Sequence, residues 1–437
     1  MTSPLRACIA TAKRFYTSEW LAWAWKRHGG EVVADLRDAD VVMVSLQDVQ
    51  DIPFLRATAR QIEALGRRPL LATGGLQAWT GNGAALAYAD VVIVGEGTEW
   101  IRTACESGLD AACSLPCVTT RDDPWRPVTP SRELDIESAP VVQVNKSVWY
   151  ALAGRGCHNK CHFCMTSWAT PYVTGDTGHL RRVRRRVEEI PKASLTYITN
   201  DSENIDLHTR VAQSMTVADY LRIAQDVRAP LIRLGVEGLS EERRRWFGKP
   251  ITDDALRAAY DIAGRNGQEL HVFMIVGHHG DAAALRDYAA TVLPFTNEKR
   301  PAIWHKWTMF QPVPFTPLWT YDCRQLVEWE HELAFRTCSG RCRRYRDYRA
   351  SSVAVAVHRA VMSRVLWEHA ELVRRPRQGE SGSDYMDDLA RRGLDYAVAP
   401  TERDRLPGSQ VLMESAGARD VVAGHMGQPA LRRESNT

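Results

Sequence analysis

The sequence predicts an α/β protein: an N-terminal Rossmann-like, doubly wound parallel sheet, then a partial (β/α)6 barrel and a helical C-terminal extension. Short apolar runs alternate with segments of helical periodicity over roughly the first 320 of the 437 residues, which is typical of parallel sheets. A proline-rich stretch divides this alternation, and the length itself favours two or three domains. The predicted divisions are 1–118, 119–140, 141–320 and 321–437.

The first unit contains five candidate strands with helical segments between them. The strands are Ala7–Ala10, Glu31–Ala34, Val41–Ser45, Leu70–Thr73 and Val91–Val94. Small or turn-forming residues follow three of them: Ser45, then Gly74 and Gly75, then Gly95, Glu96 and Gly97. Small residues past the carboxyl ends of parallel strands allow the backbone to approach a ligand closely. A five-stranded, ligand-binding sheet is therefore expected.

Prolines 124, 127, 130 and 140 make residues 119–140 a linker, because proline disrupts both helices and central strands. Six further strands are predicted beyond it: Ser147–Leu152, Leu195–Thr199, Arg210–Ser214, Leu231–Val236, Glu269–Gly277 and Ile303–Phe310. Six βα units amount to three-quarters of an eight-fold barrel, whose chemistry lies at the carboxyl ends of the strands. From about Tyr321 to Arg375 the pattern is helical, and the tail from about Gly424 is expected to be disordered.

Composition excludes several classes of function. The chain is 44% hydrophobic and 25% charged with a net charge of +3, too small to indicate nucleic-acid binding by bulk charge. No stretch approaches the ~20 apolar residues of a membrane-spanning helix. The segment Met1–Phe15 lacks the apolar core of a secretory signal. Ten cysteines are too sparse for a disulfide scaffold, so we expect a cytoplasmic protein with reduced thiols.

Three cysteines crowd into one short segment, Gly154-Arg155-Gly156-Cys157-His158-Asn159-Lys160-Cys161-His162-Phe163-Cys164. This Cys-x3-Cys-x2-Cys spacing follows the first predicted barrel strand. A [4Fe-4S] cluster normally takes four cysteines, so three local thiolates leave one iron open to an outside ligand. Structural zinc is the alternative, with His158 or His162 as a fourth ligand. The spacing differs from the usual paired zinc knuckles and favours iron–sulfur.

With Phe163 before its last cysteine, this motif resembles that of radical S-adenosylmethionine (SAM) enzymes. Further blocks resemble the subgroup that carries an N-terminal cobalamin (B12)-binding-type domain, and together they cover roughly residues 5–320. These blocks are Gly235–Ser240, Gly248–Thr252, Met274–Gly277 and Phe310–Pro317.

The resemblance implies a [4Fe-4S] cluster on Cys157, Cys161 and Cys164, whose open iron binds the amino and carboxylate groups of SAM. It also implies SAM contacts at Asn200, Asp201, Ser202, Glu203, Ser214 and Glu237. A carboxylate at the start of a helix is alternatively a helix cap.

The same resemblance implies cobalamin against Ser45, Gly74, Gly75, Gly95, Glu96 and Gly97. The loop after the first strand, residues 11–16, lacks the Asp-x-His-x-x-Gly motif that would supply a lower cobalt ligand. Three interpretations therefore stay open: cobalamin bound without a protein histidine, a vestigial domain that binds nothing, and glycines that serve only as turn residues.

The implied reaction is cobalamin-dependent methyl transfer to an unactivated carbon, with a flavodoxin- or ferredoxin-type electron donor. The alternatives are a cobalamin-independent radical rearrangement, thiolation or oxidation, and a nucleic-acid-binding protein with a structural cluster or zinc. Two basic stretches, Arg181–Arg186 and Arg341–Arg349, leave a nucleic-acid substrate possible. Cys338 and Cys342 are candidate ligands of a second cluster or ordinary thiols, and His278 and His279 are candidate acid–base groups.

Overall fold

A computed structural model describes most of residues 3–399. The described residues are 3–11, 16–46, 51–75, 82–123, 126, 128–131, 133–134, 136, 138–143, 148–152, 154–157, 159–166, 172–174, 178, 181–183, 185, 189, 194–198, 213–227, 229–293, 303–313, 316–319, 321–339, 346–348, 351–364 and 367–399. The expected disordered tail lies outside them.

The chain between Arg6 and Thr120 forms a six-stranded sheet in the order β2-β1-β3-β4-β5-β6. Its strands are β1 (Arg6–Ala10), β2 (Glu31–Val33), β3 (Val41–Ser45), β4 (Leu70–Gly74), β5 (Val91–Ile93) and β6 (Val118–Thr120). The first five pair in parallel, and β6 pairs antiparallel with β5. The helices are α1 (Tyr16–Arg27), α2 (Ile52–Glu63), α3 (Asn82–Leu86), α4 (Thr98–Ser107) and α5 (Leu109–Cys113).

Both faces of this sheet are covered by helices. Val41 and Met43 of β3 belong to one buried cluster with Trp25 of α1. The alternate residue Val42 packs on the other face with Leu55 of α2. A strand buried on both faces requires a continuous apolar run, which β3 supplies. These layers confirm the predicted doubly wound α/β class.

The sheet differs from the sequence prediction by its sixth strand, which begins at the predicted linker. Beyond β6, Ser131 forms an isolated parallel bridge with Gly95, and Val128 and Ile136 are buried. Residues of the proline-rich segment therefore pack against the carboxyl end of β5. Proline spacing could not predict this packing, which depends on distant contacts.

All six predicted barrel strands are present, in two sheets. The first has the order β11-β8-β7 and the second β12-β13-β14-β15-β16. Their bounds are β7 (Val142–Gln143), β8 (Val148–Leu152), β11 (Ser194–Ile198), β12 (Gln213–Met215), β13 (Leu231–Glu237), β14 (Glu269–Val276), β15 (Ile303–Met309) and β16 (Arg346–Tyr348). Pairing is parallel throughout the second sheet and between β8 and β11. A separate hairpin pairs β9 (Gly154–Arg155) with β10 (Val173–Thr174).

Helices cover one face of the second sheet. They are α6 (Val217–Ile223), α7 (Glu241–Trp246), α8 (Asp253–Asn266) and α9 (Asp281–Thr291). Thr216, Ser240 and Thr252 cap the first three, each with a side-chain oxygen that accepts a backbone N–H three residues on. Ile232, Leu234 and other alternating strand residues are buried beneath these helices. The opposite face carries the polar residues.

The C-terminal region is helical as predicted, apart from β16. Its helices are α10 (His331–Ser339), α11 (Val353–Met362), α12 (Gly382–Arg391) and α13 (Asp395–Val398). Strand β16 has only three residues, Arg-Asp-Tyr, which carry no apolar alternation that sequence analysis could detect. None of the described helices has the length and apolar character needed to cross a membrane.

Arg364, 1% exposed, joins this region to the end of the barrel. Its guanidinium donates to the backbone carbonyls of Ala397 (3.1 Å), Val398 (3.2 Å), Tyr321 (3.1 Å) and Trp319. Four carbonyl groups from two separate segments thus depend on one side chain.

The variant Arg364→Leu should lower the free energy of unfolding by at least about 3 kcal/mol, because each buried carbonyl that loses its donor costs about 1–3 kcal/mol. Urea unfolding followed by circular dichroism measures this. The control is Arg391→Leu on α12, where the side chain is 69% exposed and a change within about 0.5 kcal/mol is expected. Equal midpoints for the two variants would contradict the role of Arg364.

Candidate metal centre

The three clustered cysteines lie in the loop that follows β8 and β9. Cys161 is 6% exposed, Cys157 and Cys164 are half-buried, and none of the three forms a disulfide. The Asn159 side-chain amide donates to the Cys157 sulfur at 3.4 Å, and the Cys164 N–H donates to the Cys161 carbonyl at 3.1 Å. Hydrogen bonds within the loop therefore stabilise its backbone conformation.

A second segment, which ends α7 and continues to Lys249, packs directly on the cysteine loop. The His162 N–H donates to the Phe247 carbonyl at 2.9 Å, and His162 Nδ1 lies 2.8 Å from the Trp246 carbonyl. A carbonyl only accepts, so Nδ1 carries the proton. Phe163 packs edge-on against Phe247 with the ring centroids 5.3 Å apart. The loop is thus held by residues about 85 positions away in the sequence.

Gly248 allows this close approach. Its φ is +74°, and a Cβ atom there would lie 2.9 Å from the Lys160 carbonyl oxygen and 3.1 Å from the His162 nitrogen. Both are backbone atoms of the cysteine loop. A side chain at position 248 would therefore have to displace the loop itself.

The variant Gly248→Ala should weaken retention of a reconstituted cluster, since the methyl group pushes against the loop that carries the cysteines. The matched control is Gly267→Ala. Its φ of +66° imposes similar backbone strain, but no atom lies within 4 Å of the new Cβ position. The iron content after desalting checks the comparison. Equal iron content in the two variants would contradict a positioning role for Gly248.

Glu237 and Lys249 form a buried ion pair beside the cysteine loop. Lys249 Nζ lies 3.0 Å from Glu237 Oε1 and donates to the Gly235 carbonyl at 2.9 Å, and the two side chains are 15% and 12% exposed. Glu237 has φ of +71°, and the pairing of β13 with β14 shifts register between Gly235 and Glu237. A non-glycine residue in this region is strained, and such strain concentrates at functional sites.

The electrostatics of the loop follow from burial and this ion pair. Burial raises the pKa of the Cys161 thiol to about 11, although Lys249 opposes the rise. Burial would lower the pKa of Lys249, but Glu237 and Cys161 hold it above its usual value. The ammonium group is therefore charged, and it lies where thiolates of a bound cluster would need compensation.

The three cysteines do not converge on one point, as the ligands of a single metal ion would. In the described part of the chain, no three His, Cys, Asp or Glu side chains are grouped closely enough to hold one metal ion. A [4Fe-4S] cluster makes a different demand, since each thiolate binds a separate iron.

The other residues predicted to contact SAM are described only in part. Asn200, Asp201, Ser202 and Glu203 lie outside the described residues. Ser214 lies on β12, where its backbone is in register with Arg233 of β13. Glu237 ends β13, as predicted, and does not cap α7, which Ser240 caps instead. The roles of these residues in binding SAM stay predictions.

At the edge of the N-terminal sheet, Ser45 ends β3 and Gly74 ends β4, and the two residues are paired. Gly75 has φ of +94°, and a Cβ there would lie 2.6 Å from the Leu46 carbonyl oxygen. Ser45 and Gly75 therefore pack against each other's segments. The fold itself requires glycine at position 75, whatever the edge binds.

Gly95, Glu96 and Gly97 connect this edge to the cysteine loop. Gly95 has φ of +97°, and a Cβ there would lie 2.4 Å from backbone atoms of Ser131. Glu96 Oε1 lies 3.8 Å from Arg155 Nε in β9, just before the first cysteine. Burial raises the pKa of Glu96, and Arg155 partly offsets this. At Gly97 the nearest atom to a Cβ position is a Leu21 methyl carbon at 3.8 Å.

Solved structures share this fold. The radical S-adenosylmethionine methyltransferase TsrM from Kitasatospora setae, with its tryptophan substrate and aza-SAM, matches with a TM-score of 0.59 and 12% identity over 99% of this chain and 92% of its own. TsrM with cobalamin and a [4Fe-4S] cluster matches with a TM-score of 0.57 and 13% identity over 74% and 78%. OxsB, a cobalamin-dependent S-adenosylmethionine radical enzyme, matches with a TM-score of 0.53 and 11% identity over 65% of this chain and 52% of its own.

This chain has the fold of the cobalamin-type radical SAM enzymes. No family model matches the sequence, and no curated protein matches it. At 11–13% identity the likeness establishes the fold, and it agrees with the resemblance found in the sequence motifs.

Within this radical SAM fold, sequence analysis missed the setting of His278. The residue is 3% exposed, its Nδ1 lies 3.1 Å from the Tyr321 hydroxyl, and its ring packs on Trp246, Phe247 and Phe310. Burial lowers the pKa of His278 to about 2, so the imidazole is neutral. His278 therefore belongs to a layer of aromatic rings that packs behind the cysteine loop. Only the contacts between strand ends reveal this layer.

The structure provides less information on the second cysteine pair and the first basic stretch. Cys338 is buried in the core beneath the barrel helices, and Cys342 lies outside the described residues. In the first basic stretch, the described Arg181, Arg182 and Arg185 are exposed and Val183 is buried. That pattern is typical of a solvated helix face.

Proposed function

We propose that this chain is a radical SAM enzyme that uses cobalamin to transfer a methyl group to an unactivated carbon. One observation carries the proposal: a loop with three cysteines that form no disulfide is held at the carboxyl ends of parallel strands by the segment Trp246–Lys249. The shared fold supports it, because the matched structures of TsrM and OxsB contain SAM or its analogue, cobalamin or a [4Fe-4S] cluster.

Cys157, Cys161 and Cys164 would hold the [4Fe-4S] cluster, and SAM would occupy the open iron. When bound, the cluster supplies one electron that cleaves the C–S bond of SAM to give methionine and a 5′-deoxyadenosyl radical. A flavodoxin- or ferredoxin-type protein is the proposed electron donor. The half-buried position of the loop limits access of water, which suppresses side reactions of a radical.

The chain's own residues orient the reactants. Lys249 places a positive charge beside the cysteines and fixes the Glu237 carboxylate through an ion pair of 3.0 Å. Glu237 has a second carboxylate oxygen, which would accept a hydrogen bond from a ribose hydroxyl of SAM. The strained backbone of Glu237 and the Gly248 contact hold both groups in place before SAM binds.

Cobalamin would lie at the carboxyl edge of the N-terminal sheet, against Ser45, Gly74, Gly75 and Gly95–Gly97. The packing of Gly75 and Gly95 on their own chain accounts for those two glycines without a ligand. The support for cobalamin is therefore the position of the strand ends and the matched structures that contain cobalamin. The Glu96–Arg155 contact links this edge to β9, which brings the two proposed cofactor surfaces together.

Methyl transfer from SAM to cobalamin tests the proposal without knowledge of the substrate. The protein is reconstituted anaerobically with iron and sulfide and mixed with hydroxocobalamin, a reductant and SAM that carries a deuterated methyl group. Labelled methylcobalamin that stays with the protein through desalting is expected. Formation of 5′-deoxyadenosine without cobalamin retention would instead establish a cobalamin-independent radical enzyme. A protein that retains zinc and converts no SAM would contradict both.

A further inference from the structure

The face of the second barrel sheet that points away from the helices is unusually polar. Ile232 and Leu234 of β13 are buried beneath the helices, so their alternates, Arg233 and Gly235, face the other way. We call this the concave face. On β14 and β15 the same alternation places further residues there: His271, Phe273, Trp304 and Lys306.

Strand register arranges these residues in two layers. Arg233 pairs with His271, which pairs with Trp304, and the His271 and Trp304 rings lie 5.1 Å apart. In the next layer toward the carboxyl ends, Lys306 Nζ lies 5.5 Å from the centre of the Phe273 ring. Each layer therefore combines a cationic group with an aromatic surface.

Two polar atoms in the first layer are buried without a partner. Arg233 Nε and His271 Nδ1 have no hydrogen-bond partner among the described residues. On its other side, His271 Nε2 lies 3.1 Å from Glu269 Oε1, so Nε2–H donates and Nδ1 is free to accept. Leaving a buried donor or acceptor unpaired costs about 1–3 kcal/mol. Two such atoms on neighbouring strands indicate a ligand that supplies both partners.

The charge around His271 is positive. Burial lowers the pKa of His271, Glu269 opposes the decrease, and Lys306 and Arg233 lower the pKa further. Both cations therefore act on the same imidazole. The Glu269 carboxylate is 39% exposed, so water screens its charge.

The concave face leads to the candidate metal centre. A Cβ at Gly235 would lie 2.7 Å from Lys249 Nζ and 2.8 Å from Glu237 Oε1, so this ion pair covers Gly235. Arg233 is two residues further back, a distance of about 7 Å along a strand. A ligand held by Arg233 would thus extend toward the cysteine loop.

We propose that the concave face binds the enzyme's substrate, and that this substrate is a planar molecule with a carboxylate or phosphate group. The anionic group lies between Arg233 and Lys306 and accepts a hydrogen bond from Arg233 Nε. The planar part lies against Trp304 and Phe273, and a substrate donor binds His271 Nδ1. The assignment of this ligand as the substrate rests on the proposed function.

Calorimetry with three simple probes tests the inference: 1-naphthoate, 1-naphthyl phosphate and the neutral 1-naphthylmethanol. We expect at least one anionic probe to bind about tenfold more tightly than the alcohol, a difference of about 1.4 kcal/mol. The probe that binds more tightly distinguishes a carboxylate from a phosphate. The variant Arg233→Gln should remove this preference, and the exposed control Arg391→Gln should retain it. Equal binding of the three probes by the wild-type chain would overturn the proposal.

A second variant guards against a folding defect in the first. Arg233→Lys keeps the charge but lacks Nε–H, so we expect it to retain part of the preference for the anion. Full retention by both Arg233 variants would also overturn the proposal. The two proposals fail separately. If the wild-type chain binds the anionic probe but does not cleave SAM, the proposed function is wrong and the binding site stands. If the wild-type chain cleaves SAM but shows no preference for the anion, only the binding site is wrong.

Discussion

Replacement of Cys161 by alanine is expected to abolish both the brown absorbance of a reconstituted cluster and all cleavage of SAM. Cys161 is the most buried of the three cysteines, and its thiol interacts electrostatically with Lys249 and Glu237. Alanine supplies no ligand, so the cluster would keep only two of its three cysteines and would be lost. Visible absorbance, iron content and 5′-deoxyadenosine formation measure the effect.

Cys113→Ala is the matched control for this variant. Cys113 is a half-buried free thiol in α5, within the N-terminal half of the chain and outside the cysteine loop. It should keep full cluster absorbance and SAM cleavage. SAM cleavage retained by Cys161→Ala would contradict the assignment of the metal centre.

The variant Lys249→Met is expected to lower the free energy of unfolding by about 3–5 kcal/mol, because it leaves the Glu237 carboxylate buried without its partner. It also removes the donor to the Gly235 carbonyl and the positive charge beside Cys161. Weaker SAM binding should accompany the loss of stability. Urea unfolding measures the first effect, and calorimetry with SAM on the reconstituted protein measures the second.

A double variant separates the ion pair from other effects of Lys249. Glu237→Gln combined with Lys249→Met removes both charges and should recover most of the lost stability, but not the binding of SAM. Lys26→Met, at an exposed position of α1, should change neither quantity. Lys249→Met with the stability of wild type would contradict a structural ion pair.

Local sequence patterns predicted the strands well and their packing poorly. The β14 strand ends at Val276, one residue before the predicted Gly277, and the apolar runs of β13 and β15 are equally clear. Strand β16 escaped prediction because three residues carry no periodicity. The α/β class could thus be predicted because strand and helix periodicity are local patterns that a single sequence contains.

The candidate metal centre was likewise predicted only in part. Cysteine spacing indicated the loop, because its three cysteines lie within eight residues of one another. The support from Gly248, Lys249 and the aromatic residues could not be predicted from spacing, since those contacts bridge about 85 positions. Polar residues of the concave face, such as Arg233, were hidden in the alternation of an apolar strand. Strand pairing is needed to show that they lie together.

Quantification of 5′-deoxyadenosine and methionine is the most direct test of the central claim. The wild-type protein is reconstituted with iron and sulfide under anaerobic conditions and incubated with SAM and dithionite. We predict that both products form with wild type and that neither exceeds the background with Cys161→Ala. A colourless wild-type protein that retains zinc and leaves SAM intact would contradict the claim.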